Sequence, residues 1–249
     1  MTRRWGTRGP VATAIALLLA TAACGLLPPE PVPTSGFWLR YEKAAPADEA
    51  DARFLRNWQL AEFTLADLND YVDLPHLVTV RAKSCHGEGT GYDPDTRTIE
   101  LCYDDLAEQR EHFDDEDLSE LVRETIYHEA GHALIDALDL PDEGARAEED
   151  AADRFAQVAL LTRDPEGDDT LLMAARAYDL SAAADPTPDP TDEHAPDATR
   201  AESHRCAVQG AFPTRHKSLA TPARADCAAT WTRTRDAWLE ALVPLLVGQ

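Results

Sequence analysis

His128-Glu129-Ala130-Gly131-His132 places two imidazoles four residues apart with a carboxylate between them. On a helix, residues four apart lie one above the other, so both rings can grip one metal ion. Metal-assisted hydrolysis needs three protein ligands and a vacant position for water, whose pKa zinc lowers to about 7. His128 and His132 supply two ligands, and Glu129 on the same turn is the candidate general base. The third ligand must come from elsewhere in the chain. Glu148 and Glu149 follow on a second helical run, where helical periodicity does not choose between them, and Asp136, one turn beyond His132, competes.

The element carrying these residues reads as a helix from about Asp117 to Leu138. Its face Leu121, Thr125, His128, His132, Ile135 is apolar at both ends and polar in the middle. A core helix would continue with leucine there, because burying imidazole without a partner costs free energy. Gly131 inside the helix costs about 1 kcal/mol relative to alanine, which points to another backbone passing close by. Further helices are expected over 47–72 (one long or two short), 145–162, 169–184, 197–210 and 222–243. Leu77–Lys83 and Thr98–Tyr103 alternate as strands, with Asp93-Pro94-Asp95-Thr96 as turn chemistry between extended segments, and suggest a small antiparallel sheet. An edge strand near 90–103 could bind an extended peptide by backbone pairing. His86, in a glycine-rich patch, reads as a surface histidine, and 185–199, with four prolines, as an irregular loop.

The 249 residues suffice for one medium domain with appendages. Arg3, Arg4 and Arg8 precede an apolar stretch, Val11 to Ala23, too short to span a bilayer, which makes 1–23 an export signal. Leu19 to Gly25 looks like a bacterial lipoprotein cleavage site, with Cys24 as the lipidated first residue, although Thr21 stands where leucine is usual. Residues 24–36, with four prolines, read as a tether, and 37–249 as the domain. Loss of the three arginines takes the net charge from −23 to −26. Such a chain repels nucleic acid and anionic membrane surfaces, so attachment must come through the lipid. Four cysteines remain for an oxidising compartment; sequence order favours Cys85 with Cys102, across a hairpin, and Cys206 with Cys227, between two helices, each contributing about 3 kcal/mol.

Taken together, HEAGH and Glu149-x-x-x-Asp153 resemble the gluzincin group of HExxH metallopeptidases. The resemblance implies Glu149 as third ligand and Asp153 as the residue that orients a histidine. More narrowly, Ser84 to Gly87, Cys102-Tyr103, HEAGHALID and EEDAADRFA resemble a little-characterised bacterial metallopeptidase family over about residues 60–165. Its later Asp-x-His, Arg and Cys are echoed by Asp192, His194, Arg200 and Cys206. His194, oriented by Asp192, or else Arg200 or Tyr178, is the candidate donor to the oxyanion of peptide hydrolysis. The expectation is an α+β zincin-like domain with a small antiparallel sheet and additional C-terminal helices. It would be a monomeric Zn2+ peptidase acting on a polypeptide in the envelope or outside it. The alternative is a non-catalytic zinc-binding envelope lipoprotein, in which a fourth protein ligand closes the site.

Overall fold

The computed structural model describes residues 32–187 and 189–248. The export signal, Cys24 and most of the proline tether lie outside the described residues. The described chain is mixed α/β, 59% helical, with a four-stranded sheet and eight α-helices. Among the described residues no helix is long and apolar enough to cross a membrane.

The chain enters through a strand β1 (Gly36–Tyr41), then α1 (Glu49–Trp58) and α2 (Leu60–Tyr71). Two helices form rather than one because Gln59 takes a left-handed conformation, φ 52°, between them. Strand β2 (Leu77–Lys83) buries alternate residues, with Val78, Val80 and Ala82 fully covered. β3 (Gly91–Asp93) and β4 (Thr98–Cys102) flank a turn in which Asp93 accepts from the Asp95 amide at 2.9 Å and the Thr96 hydroxyl at 2.7 Å.

The sheet order is β1-β2-β4-β3, with β1 and β4 both parallel to β2, and only β3 and β4 antiparallel. The small antiparallel sheet expected from the alternation is therefore mixed and mostly parallel. A period of two is the same for both directions, so the pattern in β2 and β4 carried no directional information. The short β3 takes the antiparallel place beside β4, and β1, hidden behind the tether's prolines, is the strand the pattern missed. Cys85 and Cys102 are bonded, but they join the ends of two parallel neighbours instead of the arms of a hairpin. Cys206 and Cys227 are bonded between the helices α7 and α8 described next.

A short α3 (Asp105–Gln109) leads to the long α4 (Asp115–Ala137), followed by α5 (Ala145–Arg163), α6 (Gly167–Ala184), α7 (Asp197–Ala211) and α8 (Cys227–Leu242). Asp114 starts α4: its carboxylate accepts from the amides of Glu116 and Asp117 at 3.1 and 3.0 Å, and three acids fill the first turn, where the helix dipole favours them. α4 packs against α2, α5 and α6. A Cβ on Gly131 would lie 2.9 Å from Ala152 Cα, so the α4 and α5 backbones touch where glycine permits it.

Candidate metal centre

The α4–α5 crossing builds the site. His128 and His132 are both buried, their ring centroids 5.0 Å apart and edge-on, and their Nε2 atoms converge to 3.3 Å. Each Nδ1 faces a carboxylate of α5: His128 meets Asp153 at 2.9 Å and His132 meets Glu148 at 3.0 Å. A carboxylate at Nδ1 draws the ring proton there and leaves the Nε2 lone pair for a metal. Glu149 projects into the gap, Oε2 at 3.1 Å from His128 Nε2 and Oε1 at 3.3 Å from His132 Nε2. Ligand atoms of His128, His132 and Glu149 all lie within 4.8 Å of one another. Of the two acids that periodicity left open, Glu149 faces both imidazoles, whereas Glu148 reaches only the outer nitrogen of His132.

Glu129, next to His128, is 6% exposed, and its Oε2 has no hydrogen-bond partner. His194 comes from the loop before α7. Its Nε2 stands 3.1 Å from Glu149 Oε2, while Asp192 accepts from its backbone amide at 2.8 Å and meets Nδ1 at 3.3 Å. Arg146 of α5 fastens that loop by donating to the carbonyls of Asp192 and Glu193 at 2.7 and 2.9 Å.

Burial and the attraction between imidazoles and carboxylates shift the groups of the site against one another. Burial opposes charge on His128, yet the carboxylates of Asp153 and Glu149 prevail and push its imidazole up to about 10. His132 is also raised: burial opposes its charge most strongly, and the carboxylates of Glu149 and Glu129 together outweigh it. His194 is raised by its hydrogen bond to Glu149. Glu149, although burial raises it, is held far below the usual carboxylate range by those three imidazoles. Glu129 shifts the other way, burial pushing it up against the pull of the histidines. Two imidazoles and a carboxylate converging on one point, with the outward nitrogens already committed, fit a divalent metal ion.

Behind the site lies a second buried polar group. Arg200 of α7 donates to both oxygens of Asp153, at 2.9 and 2.6 Å, and stacks its guanidinium 4.3 Å above the Tyr178 ring. Of the three residues considered from the sequence as oxyanion donors, Arg200 is occupied in holding Asp153, Tyr178 lies beneath its guanidinium, and His194 reaches Glu149. Glu124, Asp153 and His204 also bring ligand atoms within 4.8 Å of one another. Arg200 already holds both oxygens of that aspartate, which leaves only Glu124 Oε1 and His204 Nε2 of this group without a partner. Asp136, the competing ligand, instead accepts from the Tyr92 hydroxyl at 3.0 Å and pairs with Arg97 at 3.7 Å, and His86 is exposed. Sequence reasoning missed the Glu148 contact, the Arg200 clamp and the Glu124–His204 group. The available signal was Glu124 itself, a charged residue one turn before His128 on a buried helix face.

Neither a curated protein nor a solved structure matches the chain. Residues 41–242, more than half of the chain and including every site residue above, match the model of one family, described as "Putative metallopeptidase". The chain belongs to that metallopeptidase family.

Proposed function

We propose that the protein is a zinc-dependent peptide hydrolase of the cell envelope, held to the outer face of the plasma membrane by a lipid on Cys24. The observation that carries this is the convergence of His128, His132 and Glu149 within 4.8 Å beside the buried, half-unpartnered Glu129. Held by those three groups, zinc would supply Lewis acidity, polarising the scissile carbonyl and acidifying the attacking water.

The chain's own groups do the rest. Asp153 and Glu148 hold the two imidazoles in orientation and tautomer through Nδ1. Glu129 takes a proton from the attacking water and passes it to the leaving amine; its raised proton affinity lets it hold that proton between the two steps. His194, in the imidazolium form that the neighbouring carboxylates favour, donates an Nε2–H hydrogen bond to the carbonyl oxygen as that atom becomes negative. The edge strand β3 offers unpaired backbone groups to an extended peptide, beside Tyr92 and the mouth of the cleft at His132.

The second reading, a zinc-binding module without turnover, draws on His194 Nε2 standing 3.1 Å from Glu149 and so near enough to close the fourth position. Against it, His194 is outside the group whose ligand atoms all lie within 4.8 Å. Metal analysis of purified protein beside Glu129→Gln and Glu149→Ala, followed by a peptide-library digest, separates the two. Hydrolysis requires wild type to hold zinc and cut peptides, Glu129→Gln to hold zinc without cutting, and Glu149→Ala to lose the metal. Equal metal in all three moves the third ligand elsewhere; zinc-loaded wild type that cuts nothing favours the closed site.

A further inference from the structure

We infer that the cleft contains a pocket for a substrate side chain with an apolar stem and a cationic end, lysine or arginine, beside the bond to be cut. This rests on the peptidase reading above. A cavity of about 150 Å³, room for one long side chain, opens between α3, the first half of α4 and α6. Leu55, Leu106, Leu121 and Ala174 give it apolar walls. Thr90, which leads into the edge strand, stands on one side and Tyr178 on the other. Thr125, three residues before His128, contributes to its floor, with its hydroxyl turned back onto the Leu121 carbonyl at 3.0 Å. The cavity therefore adjoins the metal ligands by about one helical turn, some 5–6 Å along α4.

Glu124 breaks the apolar lining. It is 4% exposed, and its Oε1 has no hydrogen-bond partner. Its neighbours leave that oxygen without a hydrogen bond. The guanidinium of Arg200 is matched by Asp153, whose two oxygens it holds at 2.6 and 2.9 Å. His204 Nδ1 lies 3.0 Å from the Gln157 amide nitrogen, so that side of the ring is engaged by α5. Its Nε2 stands 3.3 Å from Glu124 Oε1, yet neither atom has a hydrogen-bond partner. The other carboxylate at the cavity, Asp105, already accepts from the amide and hydroxyl of Thr90 at 2.9 and 2.7 Å.

An apolar shaft ending in an unpartnered buried carboxylate is costly when empty, and an ammonium or guanidinium on a hydrocarbon stem removes the cost at both ends. An acidic side chain would be repelled, and an uncharged one would leave Glu124 unpaired. The groove beyond His132 has the same sign, with Asp139, Asp142, Glu143 and Asp150 along it, and favours the approach of basic peptides.

The test has two arms on the purified protein. In the first, paired peptides identical except for lysine or norleucine next to the scissile bond are digested by the zinc-loaded enzyme. We expect kcat/KM at least about tenfold higher for lysine, with Glu124→Gln removing the difference. In the second, n-butylammonium and 1-pentanol are titrated against the protein by NMR. The amine should shift the Tyr178 and Thr125 signals at concentrations about tenfold lower than the alcohol, and Glu124→Gln should erase that gap. Cleavage without lysine preference overturns the pocket and leaves the peptidase reading intact. If neither peptide is cut, the peptidase reading fails and the amine titration alone decides the pocket, absence of shifts at Tyr178 removing it. The lysine–norleucine and amine–alcohol comparisons are made on wild type, so misfolding of the variant cannot rescue the idea.

Discussion

Gly131→Ala tests whether the metal centre depends on the touching backbones of α4 and α5. The new Cβ would meet Ala152 Cα at 2.9 Å, Ala152 O at 3.1 Å and Ala152 Cβ at 3.2 Å. Carbon atoms rest at about 3.5–4.0 Å, so the helices must part by about 0.5–1 Å. Both imidazoles ride on α4, and Glu149 rides on α5 one turn before Ala152. Zinc–ligand distances tolerate only about 0.2 Å of error. The separation exceeds that tolerance, and zinc affinity should fall by about 10–100-fold, or about 1.4–2.8 kcal/mol. The metal-free protein should change less: overpacking costs about 1–3 kcal/mol, while alanine returns about 1 kcal/mol of helix propensity. Competition with a chromophoric chelator measures the affinity, and thermal unfolding of the metal-free protein measures the stability. Adding Ala152→Gly should rescue binding only in part, because the contact with the Ala152 Cα remains. A Gly131→Ala protein that binds zinc within twofold of wild type would refute the reasoning.

Four further outcomes are expected. Because His128 is pushed up to about 10, protons compete with zinc across neutral pH, displacement at pH 7 costing about 4 kcal/mol; affinity should rise about tenfold per pH unit between 6 and 9, and a flat titration contradicts this. In the metal-free protein the same raised value contributes stability that is full below the ordinary 6.5 and lost as pH climbs toward 10. The lowered Glu149 contributes stability present above about 4.5 and lost on acidification, so metal-free stability should peak between about 4.5 and 6.5 in a pH series of denaturant melts. Arg200→Met strips Asp153 of its buried partner and should cost about 3–5 kcal/mol by urea unfolding, with weaker zinc binding, whereas a change under 1 kcal/mol would deny the clamp. Glu148→Ala, which removes only the outer contact of His132, should weaken zinc binding far less than Glu149→Ala; equal losses by chelator competition would exchange their roles.

Most of the secondary structure was readable because helices and their ends are local. The spacing of apolar residues acts within a turn or two, and the expected helices over 145–162 and 169–184 fall within two residues of α5 and α6. The sheet was misread where information is non-local: alternation in β2 and β4 says which residues are buried but nothing of which strand lies alongside or in which direction it runs. The pairing of the four domain cysteines followed from order, yet what Cys85–Cys102 joins depended on strands that run parallel.

For the site, the division follows the same physical line. His128, Glu129 and His132 share one helix, so their common face was determined by 3.6 residues per turn, and Gly131 announced a close neighbour without naming it. Glu148 and Glu149 sit about 100° apart on α5, and only the rotation of that helix against Gly131 decided which carboxylate meets both imidazoles. His194, Arg200 and Glu124 come from a loop, another helix and an earlier turn. Their partners are fixed by packing between elements distant in sequence, which no periodicity within a segment encodes.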